Sequence, residues 1–255
     1  FDRDLRDKGF YRLDYQYSRL NIGLEAKLLR KSALNVSLYA EHHEVKPAKT
    51  ESILPEIPLL EGIGTQYFMG LKSRIELDFT DDLYFPTDGN KLMVNVEARV
   101  DENKKISSKI QTETSYYKTF SLGLKTTVIG RVFYQVALGD VNFYHLSTIG
   151  SNTHFRGYPR NRFIDRSALV YNAEVRIQNP TFNTPLVPIS SGVFFFYDGG
   201  KVWEKISDFN LDPWNNSYGV GFYLAPGVKQ YTLTATFAIS DDDAVYSKVH
   251  LGFDF

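Results

Sequence analysis

The stretch SKVHLGFDF, Ser247 to Phe255, decides the fold. Its apolar residues occupy every second position and alternate with polar residues or glycine; the apolar set is Val249, Leu251, Phe253 and Phe255. Successive side chains of a strand point to opposite faces, so a period of two predicts a strand with one apolar and one polar face. A strand needs neighbours for its backbone hydrogen bonds, so the same period should recur upstream.

The alternation does recur along most of the chain. Six further runs alternate in the same way, at residues 34–41, 71–79, 92–100, 169–177, 218–224 and 231–239. Helices would instead repeat their apolar residues every three to four positions, and no such pattern is visible beyond about the first eight residues. The sequence therefore predicts an all-β protein.

The first run changes phase. Tyr11 to Tyr17 place their apolar side chains at odd positions, whereas Leu20 to Leu28 place them at even positions. A flip at Ser18-Arg19 predicts either a tight hairpin or a bulge. The hairpin gives about 12 strands and the bulge about 11, and closed bacterial barrels normally have even strand numbers, which favours the hairpin.

Composition excludes several classes of protein. The chain has 255 residues and a formal net charge of −1, which provides no electrostatic basis for binding nucleic acid. It has no cysteine, so disulfides, thiolate metal sites and a cysteine nucleophile are excluded. Mean hydropathy is −0.28, and no window approaches the roughly 18 apolar residues of a membrane-spanning helix. A membrane barrel stays possible, because lipid-facing and lumen-facing residues cancel in any average.

The connections favour a barrel over a soluble β-sandwich. Short turns such as Thr87–Asn90 alternate with long segments such as 46–62 and 139–158, which fits one tight rim and one elaborated rim. Strand after strand carries charge or hydroxyls on one face and bare apolar side chains on the other. Rings near strand ends fit the interfacial girdles of outer-membrane barrels; they are Tyr67, Tyr116, Tyr134, Tyr171, Tyr218, Tyr231 and Phe255. We therefore expect one domain over residues 1–255, a closed antiparallel transmembrane β-barrel of about 12 strands.

Four ordered motifs carry a family resemblance. HFRGYPRNRF, His154 to Phe163, contains Arg-Gly-Tyr, and it lies between ELDFTDDLYFPTDG (Glu76–Gly89) and YNAEVRIQNP (Tyr171–Pro180); VFFFYDGGKVW (Val193–Trp203) follows. Together they resemble the BamA-type superfamily, the bacterial surface antigen barrels, over roughly residues 64–255. That superfamily includes outer-membrane assembly factors and two-partner secretion transporters.

The resemblance implies a loop folded back into the lumen with Arg156, Gly157 and Tyr158 at its tip. The alternation of side chains along the strands places Glu174 and Asp198 on the polar face of two neighbouring strands. There they could bind the guanidinium of Arg156, because its planar fork of donors suits carboxylates. Gly157 would allow a tight turn near the wall. Tyr158 would stack on an interior ring such as Phe194 or Phe196. We expect these residues to latch the loop inside the barrel.

The C-terminus fits the same resemblance, since its terminal aromatic resembles the strand signal that the outer-membrane assembly machinery reads. Full-length relatives have about 16 strands, so we expect the missing strands to lie on the N-terminal side of the seam between first and last strands. Gly252 would weaken pairing at that seam. The chain begins at Phe1 rather than Met, and we expect a soluble N-terminal domain to precede it.

Three functions remain open at this stage. The barrel could help to insert or translocate client outer-membrane proteins, it could anchor a soluble domain such as a hydrolase or handle lipids, or it could form a small pore. All three imply the outer membrane of a Gram-negative bacterium, with its lipids as partners. Seam-to-seam pairing of two copies is a further possibility, because exposed strand edges are unfavourable in lipid.

No catalytic residue, cofactor or metal ligand is expected within the chain. The five histidines lack the spacing of a zinc site, and His42 and His43 point to opposite faces of a strand. No serine lies in a recognisable nucleophile context. The run Asp241 to Asp243 is typical of a solvated turn.

Overall fold

The computed structural model of the protein describes residues 13–29, 31–47, 62–151, 155–183, 187–205, 214–227, 231–242 and 245–252. Within these ranges lie the strands β1 (Leu13–Leu29), β2 (Ser32–Pro47), β3 (Gly64–Asp78), β4 (Gly89–Asp101), β5 (Ile106–Leu122), β6 (Leu124–Gly139), β7 (Ser147–Ile149), β8 (Phe163–Asp165), β9 (Ser167–Gln178), β10 (Phe182–Asn183), β11 (Pro188–Trp203), β12 (Asn215–Pro226), β13 (Leu233–Ser240) and β14 (Val245–Leu251). A short 3-10 helix, Phe143–His145, lies between β6 and β7. In these ranges no helix has the length and apolar character needed to cross a membrane.

One large antiparallel sheet contains most of the chain. Its strands follow the order β1-β2-β3-β4-β5-β6-β9-β11-β12-β13-β14, and the two-residue β10 pairs with β11 as a twelfth strand. Strands β7 and β8 form a separate hairpin within the connection from β6 to β9. The expected all-β antiparallel sheet of about twelve strands is confirmed. Within the described ranges, β1 and β14 are the two ends of the path and no ladder joins them.

The hairpin expected at Ser18-Arg19 is wrong. Strand β1 continues through this point and pairs with β2 without a register shift from Leu13 to Lys27. The phase flip arises because Tyr15 and Tyr17 share the inner face with Arg19; the Tyr17 hydroxyl donates to Glu41 at 3.2 Å, and Arg19 contacts the same carboxylate at 3.0 Å. The path therefore has eleven strands. The apparent change of phase came from tyrosines that lie on the polar face.

The sheet is polar inside and apolar outside. Leu24 on β1 is 83% exposed and Val249 on β14 is 69% exposed, whereas Asp198 on β11 is fully buried. A water-soluble protein buries its aliphatic residues and exposes its charges, so this arrangement is the reverse of a soluble core. It is the arrangement of a sheet whose outer face meets hydrocarbon and whose inner face encloses polar groups.

Two interior clusters bring distant parts of the sheet together. The connection from β3 to β4 carries Phe85 across to β12, where its ring lies 5.4 Å from that of Tyr223; this first cluster also contains Phe194, Phe196, Ala225 and Ala238. The second cluster packs the β6–β9 connection against β6, β9 and β11, and consists of Phe133, Ile149, Phe155, Tyr158, Ala168 and Val170. Because β3 and β12 are far apart in the strand order, the contact of Phe85 with Tyr223 requires the sheet to curl around its interior.

Glycines on β12 make room for the aromatic rings of β11. Gly221 pairs with Phe194, and Gly219 pairs with Phe196. A Cβ atom added at Gly221 would lie only 2.0 Å from the Phe194 ring, and one at Gly219 only 2.6 Å from the Phe196 ring. The rings of β11 therefore lie flat over the β12 backbone, and this packing positions Phe196 beneath the loop described below.

The inverted polarity predicts how inserted charges behave. We expect Ile22→Lys, on the exposed face of β1, to lower the free energy of unfolding in lipid vesicles by about 2–4 kcal/mol, because lysine would meet hydrocarbon near the middle of the strand. The control is Asn21→Glu, whose side chain joins Arg19 and Lys72 in lining an interior cavity. Urea titration monitored by tryptophan fluorescence measures the free energy of unfolding of both variants. Equal decreases in the two variants would contradict the assignment of the outer and inner faces of the sheet.

Candidate functional site: an arginine loop inside the sheet

The connection between β6 and β9 folds into the interior rather than away from the sheet. Its β7–β8 hairpin is fixed by bonds to the strands at its base, such as the Ala137 amide to the Arg166 carbonyl at 2.8 Å. Phe155 is fully buried, with its ring 4.6 Å from that of Tyr158. The loop tip is thus packed as a small core of its own. His154, the first residue of the sequence motif, lies outside the described residues.

Arg156 binds Asp198 through a fork of hydrogen bonds. Its Nε donates to Oδ2 of Asp198 at 2.8 Å and its Nη2 donates to Oδ1 at 2.7 Å. The backbone amide of Arg156 also donates to Oδ2, at 3.1 Å. This bidentate geometry fixes both the position and the plane of the guanidinium, which a single point charge could not do.

A second carboxylate completes the pairing. Nη1 of Arg156 donates to Glu174 Oε2, and the other oxygen of Glu174 accepts a bond from Arg176 Nε at 2.6 Å. The guanidinium carbon of Arg156 lies 3.7 Å from the centre of the Phe196 ring, in a cation-π arrangement. Two arginines and two carboxylates thus form a buried group without net charge.

Burial and charge act in opposite directions on this group. Burial alone would lower the pKa of Arg156, but Asp198 and Glu174 together raise it above its ordinary value. The guanidinium therefore keeps its charge at any physiological pH. Because a buried ion pair repays its desolvation only with good geometry, removal of one partner costs more than the pair itself contributes.

The loop tip also bonds to strands near the C-terminal edge of the sheet. The Ser217 hydroxyl on β12 donates to the Arg156 carbonyl, and the Tyr158 hydroxyl donates to the Asn216 carbonyl at 3.0 Å. Gly157 adopts a φ of +83°, and a Cβ there would lie 2.8 Å from that of Ser217. Only glycine fits both this backbone conformation and this close approach.

These contacts explain the residue types at alternate positions of β11 from Phe196 to Gly200. Phe196 lies under the guanidinium, and Asp198 binds it. Gly200 makes room for the loop, since a Cβ there would lie 2.8 Å from the ring of Phe155. Three alternate residues of one strand, all on its inner face, therefore hold the loop.

A second polar network lines the interior on the β1–β4 side. Glu97 on β4 binds Arg99 at 2.9 Å and Lys72 at 3.1 Å. Glu41 on β2 binds Arg19 at 3.0 Å and lies 3.3 Å from His145, a residue of the 3-10 helix in the loop. Burial lowers the pKa of His145 to about 4, although Glu41 opposes the shift, so the ring is neutral at pH 7.

The structure brings together the five residues that the sequence assigned to the latch of the loop: Arg156, Gly157 and Tyr158 in the loop, with Glu174 and Asp198 on the strands. The ring partners of Tyr158 are Phe155 and Phe163, not Phe194 or Phe196, which belong to the other interior cluster. Sequence reasoning missed Phe196 as the surface under the guanidinium. It also missed the network around Glu41 and Glu97, although both residues lie on the polar face of their strands and parity could have identified them.

The terminal strand is short. Strand β14 ends at Leu251, and Gly252 follows with a φ of +88°. The Gly252 amide donates to the Thr232 carbonyl at 2.6 Å. Val249 and Leu251 point outward and are exposed. Phe253 and Phe255, the other residues of the terminal signal, lie outside the described residues.

We expect Arg156→Ala to destabilise the inward position of the loop by about 3–5 kcal/mol, because Asp198 and Glu174 would stay buried next to one cation fewer. Chymotrypsin, which cleaves at aromatic residues such as those of the loop tip, should cut the variant much faster than the parent. The control is Arg160→Ala, which removes an exposed arginine of the same loop. Equal cleavage of the parent and Arg156→Ala would contradict the role of the ion pair.

Gly157→Ala should destabilise the same loop by about 1 kcal/mol or more, because alanine disfavours the positive φ and its Cβ would press against Ser217. The matched control is Gly130→Ala on β6, where an added Cβ meets nothing within 4 Å. Thermal unfolding followed by circular dichroism measures both variants. A Gly157→Ala variant as stable as Gly130→Ala would show that the loop does not approach β12 as described.

Comparison with known proteins agrees with this fold. The Omp85 superfamily domain matches residues 2–253. Comparison with curated protein sequences gives no match. Among solved structures, the crystal structure of BamA from Haemophilus ducreyi lacking POTRA domains 1-3 superposes with a TM-score of 0.68 at 13% identity, covering 94% of this chain and 53% of that one. This chain therefore spans about half the length of that structure and shares its fold over that part. The chain belongs to the Omp85 superfamily.

Proposed function

We propose that the protein is a transmembrane barrel of a Gram-negative outer membrane that assists the insertion or translocation of client outer-membrane proteins. Membership of the Omp85 superfamily supports a protein insertion or translocation barrel in general. The observation that carries the specific proposal is the loop tip, which binds β11 through Arg156 and β12 through Ser217. Through these two strands the loop controls the position of the C-terminal edge, where a client strand would have to be admitted.

The lengths of the two edge strands support a weak seam. Strand β1 has 17 residues, whereas β14 has 7. In the described ranges, a ladder between them could satisfy fewer than half of the β1 positions. Unpaired backbone groups are costly in hydrocarbon, so an edge of this kind favours pairing with another strand, either the far edge of the same barrel or a strand of a client.

The latch is the proposed mechanism of control. With Arg156 bound to Asp198 and Glu174, the loop would hold β11 and β12 in one arrangement and keep the edge at β14 in place. Release of the loop would leave Asp198 and Glu174 with one cation fewer, so the latched state is favoured. Gly157 and Tyr158 contribute by allowing the close approach to β12 and by bonding to it.

A second candidate function, an anchor for a soluble domain, is favoured by the close packing of the interior on the side of β9, β11 and β12. The Phe85 cluster and the Phe155 cluster occupy the space that a conducting pore would need. A plugged barrel of this kind could hold an enzyme at the membrane without passing solutes. The same packing narrows any path through the interior, which disfavours the third candidate, a small pore.

The full-length gene product reconstituted in vesicles tests the first function. We expect it to accelerate the folding of an unfolded eight-stranded outer-membrane protein, measured by the shift in gel mobility that accompanies barrel formation. Arg156→Ala should lose most of this acceleration, and Arg160→Ala should retain it. If the parent protein gives no acceleration over empty vesicles, client insertion is excluded and the anchoring function takes its place.

Cysteine pairs test the seam and the proposed homodimer. One cysteine replaces Lys248 on β14, and the second replaces successive inner-face residues of β1, namely Tyr17, Arg19, Asn21 or Gly23. We expect oxidation to link the two strands within one chain, because closure of the barrel satisfies both edges. Crosslinks between chains would instead support a dimer through the seam, and the absence of any crosslink would contradict both arrangements.

A further inference from the structure

The cluster of Glu41, His43 and His145 has a composition that the arginine loop does not explain. Glu41 and His43 are inner-face residues of β2, and His145 reaches them from the 3-10 helix of the loop. All three are at least nine-tenths buried. The two histidines are about 100 positions apart in the chain, so their spacing could not indicate a shared site.

The distances within the cluster match those between the ligands of a tetrahedral metal. Oε2 of Glu41 lies 3.4 Å from Nε2 of His43 and 3.3 Å from Nε2 of His145. Nitrogen and oxygen ligands that each lie about 2.0–2.1 Å from a tetrahedral zinc ion are separated by about 3.3–3.4 Å. These three atoms all lie within 4.8 Å of one another. Two of the three separations between the ligands therefore already match those around a tetrahedral ion.

Hydrogen bonding alone does not account for His145. Contacts of 3.3 and 3.4 Å are long for a nitrogen donor and a carboxylate, whose usual separation is about 2.9 Å. Neither ring nitrogen of His145 has a hydrogen-bond partner among the described residues. A buried polar group without a partner requires an explanation, and a bound ion is one that fits both imidazoles.

The surroundings hold both rings in place. The His43 ring stacks on that of Tyr144 at 4.3 Å, and His145 packs edge-on against Phe68 at 4.9 Å. Nδ1 of His43 lies 2.7 Å from the Tyr15 hydroxyl. If Nδ1 donates this bond, Nε2 carries the lone pair and is free to bind a metal. The Tyr15 hydroxyl then acts as the outer partner that orients a metal-binding histidine.

The ligand atoms of the cluster indicate the kind of metal. Arg19 engages Oε1 of Glu41 and leaves Oε2 facing the two imidazoles. Arg99 and Lys109 line the same cavity of about 300 Å³, which has room for a water molecule as fourth ligand. Ca²⁺ and Mg²⁺ prefer several oxygen ligands, whereas two imidazoles and one carboxylate suit Zn²⁺.

We propose that Glu41, His43 and His145 form a zinc site inside the barrel. The ion would tie the connection between β6 and β9 to β2, in the N-terminal half of the sheet, through His145. Arg156 ties the same loop to β9 and β11, in the C-terminal half. The zinc ion and the arginine would thus hold the loop from two sides of the interior, and the proposal holds whether or not the barrel inserts clients.

Zinc titration of the tag-free, full-length protein tests the proposal. The protein is purified in detergent, stripped with a chelator and titrated with Zn²⁺ in a calorimeter; we expect one ion per chain. Replacement by Co²⁺ should give the strong visible absorption bands of tetrahedral coordination. His145→Ala and Glu41→Gln should each lose this binding, with unchanged far-ultraviolet circular dichroism.

His42→Ala is the matched control. His42 is the neighbour of His43 on β2, but its ring packs at a tilt against the outward-facing Tyr67, with centroids 5.0 Å apart. This variant should therefore bind one zinc ion with the affinity of the parent. Binding of equal strength in the parent and in His145→Ala overturns the proposal, as does the absence of binding to the parent at micromolar Zn²⁺.

A measurement on the parent protein covers the case in which the variants do not fold. X-ray absorption at the zinc edge should show two imidazole nitrogens and at least one oxygen at about 2.0–2.1 Å. A spectrum without imidazole scattering overturns the site. Added zinc should also slow chymotrypsin cleavage of the loop severalfold, and an unchanged cleavage rate in zinc-loaded protein would exclude the tethering of the loop to β2.

Discussion

The arrangement depends on one buried guanidinium. Arg156 enters the interior with a charge that it cannot lose, and it is stable there because Asp198 takes two of its donors and Glu174 a third. Phe196 covers the open face of the guanidinium. The buried charge of Arg156 must be paired. The inward loop, the pairing of β9 with β11 and the close approach of Gly157 to β12 together meet this requirement. A neutral side chain would place no comparable constraint on its surroundings.

The sequence predicted the parts of the fold that follow from a period of two. Strand type, the polar inner face and the pairing of Arg156 with Glu174 and Asp198 can be read from parity and from the ordered motifs, because side chains alternate regularly along a strand. Parity failed at Tyr15 and Tyr17, since tyrosine is both apolar and a hydrogen-bond donor and occurs on either face of such a sheet. The ring partners of Tyr158 could not be predicted, because they depend on how an irregular loop folds.

Contacts between distant segments of the chain could not be predicted from the sequence either. His145 reaches Glu41 and His43 only because the connection after β6 turns inward, and no spacing rule relates a loop residue to a strand about 100 positions earlier. Phe85 reaches Tyr223 for the same kind of reason. Both contacts cross the interior, so they appear only when the curvature of the whole sheet is known.

The Phe85 contact has a consequence for the order in which the protein folds. Its two rings lie on segments separated by more than half of the chain, so their contact cannot form until β12 has joined the sheet. Closing so long a segment has an entropic cost that increases with its length, and proteins dominated by distant contacts fold slowly. The early hairpins can form locally, but the interior of this molecule can be completed only at the end of its assembly, when its two halves meet.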